Sequence, residues 1–279
     1  MPPYFRPHSV SDALQALAGQ PFVVVSGGTD FYPARVGRAI SDPLLDISAL
    51  EELRGIRELP DRFEIGALAT WSDVLAADLP PAFAGLKLAA REVGGPQIQN
   101  VATLAGNLCN ASPAADGVPP LLTLDAEVAL TSVRGERVLP VEGFILGNRK
   151  TALAPDELLT AIRVPKGPPS ARGGFAKLGA RKYLVISIVM VAAVVEAERG
   201  RVSRARVAVG ACAPVARRLP LLEAALAGRP LDGNLGAAAQ AGHLAPLNPI
   251  SDVRAGAAYR LDAALTLLRR LLSQLGAAA

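Results

Sequence analysis

At 279 residues the chain is long enough for two domains, and its formal net charge of +4, from 29 basic and 25 acidic residues, is too small to argue for nucleic acid. Half of it is hydrophobic (51%) and 19% is charged, which suits a sizeable core, while 4% aromatics leave aliphatic side chains to fill that core. Two cysteines cannot build a four-thiolate iron–sulfur cluster, and Cys109 and Cys212, both among apolar or small neighbours, read as buried thiols. The first ten residues lack a basic-then-apolar leader, and the longest apolar run, Leu184–Val195, is too short for a bilayer and is interrupted by Ser187. A soluble, cytoplasmic protein with no nucleic-acid or membrane partner is therefore expected.

Ser9 is placed to cap an opening helix whose Val10, Ala13, Leu14 and Leu17 share one face, and Gly19 ends it. Phe22–Val25 follows as a buried strand running into Ser-Gly-Gly-Thr-Asp. Short strands are expected at Leu44–Ile47, Ile56–Glu58 and Phe63–Gly66, then a capped helix from about Ser72 and another at Ala84–Val93. Residues 94–120 are rich in Gly, Pro, Asn and Ala, and within them 103–116 show no strand or helix periodicity. Glu127–Val141 reads as a hairpin turning at Arg134-Gly135-Glu136, and Leu158–Val164 as a strand. The Pro- and Gly-rich stretch 165–170 is the best linker. Beyond it, Gly174–Gly179, Ile186–Glu198 and Val202–Gly210 form an antiparallel sheet. Leu261, Leu265, Leu268, Leu272 and Leu275 then recur at helical spacing. Strands and helices do not alternate regularly, so the fold class is α+β.

Two segments could carry chemistry. In Val24-Val25-Ser26-Gly27-Gly28-Thr29-Asp30-Phe31, adjacent glycines after a strand leave several backbone N–H groups open to cradle a phosphate, with Ser26 and Thr29 adding hydroxyls; a tight turn with no ligand has the same composition. Thr103 to Asp116 packs Thr, two Asn, Ser and Asp among small residues. Such dense polar groups need partners, which a polyhydroxy ligand or a surface of Asx turns would supply. Neither segment is a Rossmann fingerprint or a P-loop, since the glycine spacing and the Gly-Lys-Ser/Thr ending are absent. His8 and His243 have no nearby nucleophile pattern, Trp71 reads as packing beneath a helix cap, and Asp125 and Glu127 need no catalytic role. No catalytic triad, metal site or paired glycosidase carboxylates can be found.

The order of motifs resembles the FAD-binding medium subunit of molybdenum hydroxylases, the xanthine dehydrogenase and carbon monoxide dehydrogenase family. That family typically has A-G-G-T-D, then T-I-G-G-N-x-x-N-A-S-P-x-A-D, then F-x-K-x-x-x-R, and near its end D-x-R-x-S-x-x-Y-R. Here they read S-G-G-T-D at 26–30, T-L-A-G-N-L-C-N-A-S-P-A-A-D at 103–116, F-A-K-L-G-A-R at 175–181 and D-V-R-A-G-A-A-Y-R at 252–260.

The resemblance implies a two-part FAD domain over 1–168, related to that of vanillyl-alcohol oxidase, and a smaller sheet-and-helix domain over 169–279. It implies that Val24, Val25, Ser26, Gly27, Gly28, Thr29, Asp30 and Phe31, with Thr103, Ala105, Gly106 and Asn107, face the diphosphate and ribityl of FAD. Asp116 would accept hydrogen bonds from sugar hydroxyls, Leu159 would give an apolar contact, and Lys177 would place a positive charge near the flavin. The implied partners are a small 2Fe-2S subunit and a large molybdenum–pterin subunit, assembled as a dimer of heterotrimers, with electrons leaving through FAD to an external acceptor. Ala105 departs from the family by adding a methyl where a glycine is usual, Val93 replaces an aromatic, and Gln99 replaces a common arginine. A self-sufficient flavoenzyme of related fold and a non-catalytic nucleotide-binding scaffold are the alternatives. The first should show a general acid or a flavin-tethering histidine, and the second would gain from Ala105 and Gln99.

Overall fold

The computed structural model describes residues 3–278. The opening helix, Val10–Gly19, starts where Ser9 Oγ accepts the Asp12 N–H at 3.1 Å and buries Ala13, Leu14 and Leu17. It connects two edge strands, Tyr4–Phe5 and Val23–Val25, that flank Leu44–Asp46 in a three-stranded parallel sheet. A crossover helix is what parallel pairing requires, and the strand order was not evident from the short apolar runs alone. A five-stranded antiparallel sheet follows, in the order Ile56–Glu58, Arg62–Gly66, Leu158–Pro165, Glu127–Ser132, Gly135–Pro140. Its hairpin is tighter than expected. Ser132 pairs directly with Gly135, so Val133 and Arg134 alone make the turn.

The third sheet is antiparallel: Arg172–Leu178, Val189–Glu198, Arg201–Gly210 and the short Arg217–Arg218. Residues Val189–Val195 are all buried, which explains the continuous apolar run in place of alternation. The helix Ala257–Ala277 covers one face, burying Ala264, Leu268, Leu271, Leu272 and Leu275; Leu261 and Leu265 lie at the edge of that stripe, half-buried. The helix Ala84–Glu92 comes close on the sheet's other side. A methyl at Gly85 would lie 2.7 Å from the Gly174 carbonyl oxygen, and one at Gly173 would lie 2.0 Å from that of Ala82, so backbones meet there directly. The result is mixed helix and sheet, consistent with α+β. Among the described residues no helix is long and apolar enough to cross a membrane.

Three local expectations are corrected. The helix expected from about Ser72 begins one residue earlier: Thr70 is the cap, locked by a reciprocal bond with Asp73, and Trp71 is the first helical residue, buried. Cys109 is exposed, because it lies on the outer face of a helix, whereas Cys212 is buried and its thiol is pushed up to about 11 by that burial. Most important, residues 104–110 are helical.

Candidate functional site

The first part of the second motif, Leu104–Asn110, is a helix. Thr103 caps Leu104–Asn110 by accepting the Gly106 N–H on its hydroxyl at 2.9 Å, and Ala111, at φ 46°, closes it in the left-handed conformation. Two backbone bonds fix its start: Trp71 N–H to Ala102 O at 3.1 Å and Leu104 N–H to Ala69 O at 3.1 Å. Asn, Gly and Cys are weak helix formers, which hid the element; the signal was Thr103 followed by Leu104 and Leu108 four residues apart, both fully buried.

The first motif lies against it. Leaving the edge strand Val23–Val25, the chain turns through Gly27 and Gly28, the latter at φ +67°. A methyl at Gly27 would sit 2.0 Å from the Val101 carbonyl oxygen, so the absence of a side chain permits the contact between the two motifs. Ser26 Oγ stands 3.4 Å from Thr103 Oγ1, and Asn110 Nδ2 donates to Asp30 Oδ2 at 2.8 Å. Arg149 in turn donates to the Asn110 side chain, and the Arg35 guanidinium lies over the Phe31 ring at 3.8 Å. Among the described residues the backbone N–H groups of Gly27, Gly28, Thr29 and Asp30 have no protein acceptor. They form a set of free donors beside the start of a helix, suited to an anion.

Val25, Thr103 and Ala105 are buried, while Val24, Ser26, Gly27, Gly28, Thr29, Phe31, Gly106 and Asn107 are half-buried and Asp30 is exposed. Ala105 is 4% exposed and belongs to the main core, so its methyl points into packing. Leu159 is also a core residue, on the central strand at a bulge between Leu159 and Ala161. Gln99 donates to the Val93 carbonyl oxygen at 3.1 Å and so ties down the end of the helix Ala84–Glu92.

A second polar centre is reached through Asn107, whose Oδ1 accepts the Gly117 N–H at 3.2 Å. Next to Gly117, Asp116 takes Lys177 Nζ on one carboxylate oxygen at 2.6 Å and Ser187 Oγ on the other at 2.6 Å. The side chains of Lys177 and Asp116 are only 5% and 9% exposed. Burial pushes the Asp116 carboxyl above its ordinary value, against the Lys177 ammonium and the Ser187 hydroxyl, which pull it down. Ser187 escaped the sequence reading, although a lone hydroxyl breaking an apolar run was the available signal. Two clefts, of about 400 and 230 Å³, lie elsewhere and include none of these residues.

Residues 2–167 match the model of the FAD binding domain in molybdopterin dehydrogenase, and residues 175–275 that of the CO dehydrogenase flavoprotein C-terminal domain. The chain belongs to this family of FAD-binding subunits. It is 32% identical to the xanthine dehydrogenase FAD-binding subunit of Escherichia coli O157:H7, over 99% of this chain and 96% of that one. Among solved structures it is similar to the reconstituted CO dehydrogenase from Oligotropha carboxidovorans, with a TM-score of 0.92, 28% identity and coverage of 100% and 99%. Quinoline 2-oxidoreductase from Pseudomonas putida 86 matches with a TM-score of 0.88 and 26% identity, covering 99% and 97%. As an FAD-binding subunit of molybdenum hydroxylase complexes, this flavoprotein is an oxidoreductase component.

Proposed function

We propose that the chain carries electrons, through FAD, from the 2Fe-2S clusters of a small partner subunit to an external acceptor. A large molybdenum–pterin subunit would generate those electrons by oxidising substrate, in a cytoplasmic dimer of heterotrimers. FAD when bound supplies the redox chemistry; the chain binds it, orients it and sets its electrostatic surroundings. The observation that carries this reading is the junction of the two motifs, where free N–H groups of Gly27, Gly28, Thr29 and Asp30 stand beside Thr103, Gly106 and Asn107.

In this reading the segment Val24 to Phe31 and Thr103 to Asn107 hold the diphosphate and ribityl. Ala105 contributes from the core side, where its methyl packs among buried residues. Each oxygen of Asp116 has spent one acceptor site on protein and keeps another for a sugar hydroxyl. Lys177 has two donors left and holds a positive charge close to the site, and Leu159 forms the apolar backing. A division into a two-part FAD domain of the vanillyl-alcohol oxidase type over 1–168 and a C-terminal domain over 169–279 agrees with the linker after Pro165. Asp116 and Lys177 then come from different domains, so FAD binding depends on their contact. Reconstituting the purified chain with FAD should yield flavin absorbance and a large thermal shift that AMP and NADH do not give. A chain that takes up no flavin, alone or with its partner subunits, rules the reading out.

A further inference from the structure

We propose that Ser187 is a positioning residue of the cofactor site, fixing the Asp116 carboxylate and through it the Lys177 ammonium. The inference rests on the flavin reading above. Ser187 is 2% exposed and lies at the entry to the buried strand Val189–Glu198. Its hydroxyl donates to Asp116 Oδ1 at 2.6 Å, while Lys177 occupies Oδ2 at 2.6 Å. A carboxylate held by one donor can turn about its Cβ–Cγ bond. Donors on both oxygens fix its plane, and with it the lone pairs left for a ligand.

The backbone around Ser187 is itself pinned. The Ile188 N–H donates to the Leu178 carbonyl oxygen at 2.7 Å, so the residues that follow the two donors to Asp116 are tied together by a backbone bond. Behind it, Arg260, 3% exposed, donates to the Ile188 carbonyl oxygen at 2.6 Å and to that of Ala211 at 3.1 Å, and is itself held by Asp252 at 2.7 Å. This connects the C-terminal Asp252-to-Arg260 motif to the cofactor site through the buried Arg260. Lys177 is the charged group that acts on Asp116. The neighbouring helices Leu104–Asn110 and Val118–Thr123 carry no charged side chain, and Arg260 bonds the Ile188 and Ala211 carbonyls and Asp252 but not Asp116.

Removing the hydroxyl leaves Asp116 Oδ1 buried without a donor, which weakens its grip on a ligand and favours its protonated form. The test is FAD titration of the full chain as wild type, Ser187→Ala and Ser187→Thr, by flavin fluorescence between about pH 5 and pH 8, with melting of each chain measured without FAD. Ser187→Ala should bind FAD about ten-fold more weakly near neutral pH, since the lost bond was to a charged group. Its loss of affinity on acidification should begin at higher pH than in the wild type, and Ser187→Thr should restore both. Should Ser187→Ala fail to fold, Ser187→Cys, a weaker donor of similar size, takes its place. A Ser187→Ala profile that overlays the wild type, or one weakened uniformly with no movement along the pH axis and no recovery in Ser187→Thr, overturns the proposal and leaves the flavin reading standing. A wild-type chain that does not bind FAD overturns both.

Discussion

Gly27 is the residue on which the two motifs turn, and Gly27→Ala tests whether their contact makes the site. The added methyl would lie 2.0 Å from the Val101 carbonyl oxygen and 2.6 Å from its carbon, both backbone atoms that cannot rotate away. An ordinary contact begins near 3.4 Å, so the gap must open by roughly 1.4 Å, the difference between the two distances. Overpacking of this kind costs about 1–3 kcal/mol, which for a chain of this size lowers Tm by roughly 2–5 °C. If a ligand must hold the motifs together, it has to restore that cost on binding, and FAD affinity falls by about 10- to 100-fold. Gly37→Ala is the control. Gly37 has φ +75° with no heavy atom within 4 Å of an added methyl, so it pays only the left-handed penalty of about 1–2 kcal/mol. Calorimetry and FAD titration on the three chains separate the effects. A Gly27→Ala chain that binds FAD like the wild type, or no more weakly than Gly37→Ala, refutes the idea that the contact builds the site.

Lys177→Met should destabilise the apo chain by about 3–5 kcal/mol, because it strands a buried carboxylate, and Lys177→Met with Asp116→Asn should recover part of that. The sign with pH is diagnostic. With its counter-charge gone, Asp116 has a folded pKa raised above the unfolded value, so the Lys177→Met chain gains stability as pH falls toward the carboxylate range. Denaturant melts showing no such gain would mean the pair is not buried as described. Ala105→Gly should lower stability by about 1–2 kcal/mol through lost helix propensity and a lost core methyl, with FAD affinity unchanged once stability is allowed for. A gain in affinity would show instead that the methyl crowds the ligand.

How much of this was legible in the sequence depends on the range of the interaction that decides each element. The hairpin Glu127–Ser132 and Gly135–Pro140 and the three long strands of the third sheet follow from local apolar patterns and turn residues, and their expected bounds differ by a residue or a few, whereas the short strand Arg217–Arg218 carries no such pattern. The helix Leu104–Asn110 does not, because its residues are poor helix formers and its start is held by Ala69 and Trp71, some thirty-five residues earlier in the chain. The order of the motifs named the candidate site residues, but not which of them touch. Lys177 and Ser187 are 61 and 71 residues from Asp116, and no local pattern says that all three share one buried contact.

Ala105 shows what that gap costs in interpretation. As a departure from glycine in a phosphate-facing loop, it read as an obstruction. Once the segment is a helix capped by Thr103, position 105 turns with Leu104 and Leu108 into the core, and the same methyl packs there. A substitution in a binding motif therefore cannot be weighed from its chemistry until the direction of its Cβ is known. Here that direction is set by one cap hydrogen bond, from the Gly106 N–H to Thr103 Oγ1, and by the two backbone bonds that hold the helix start against Ala69 and Trp71.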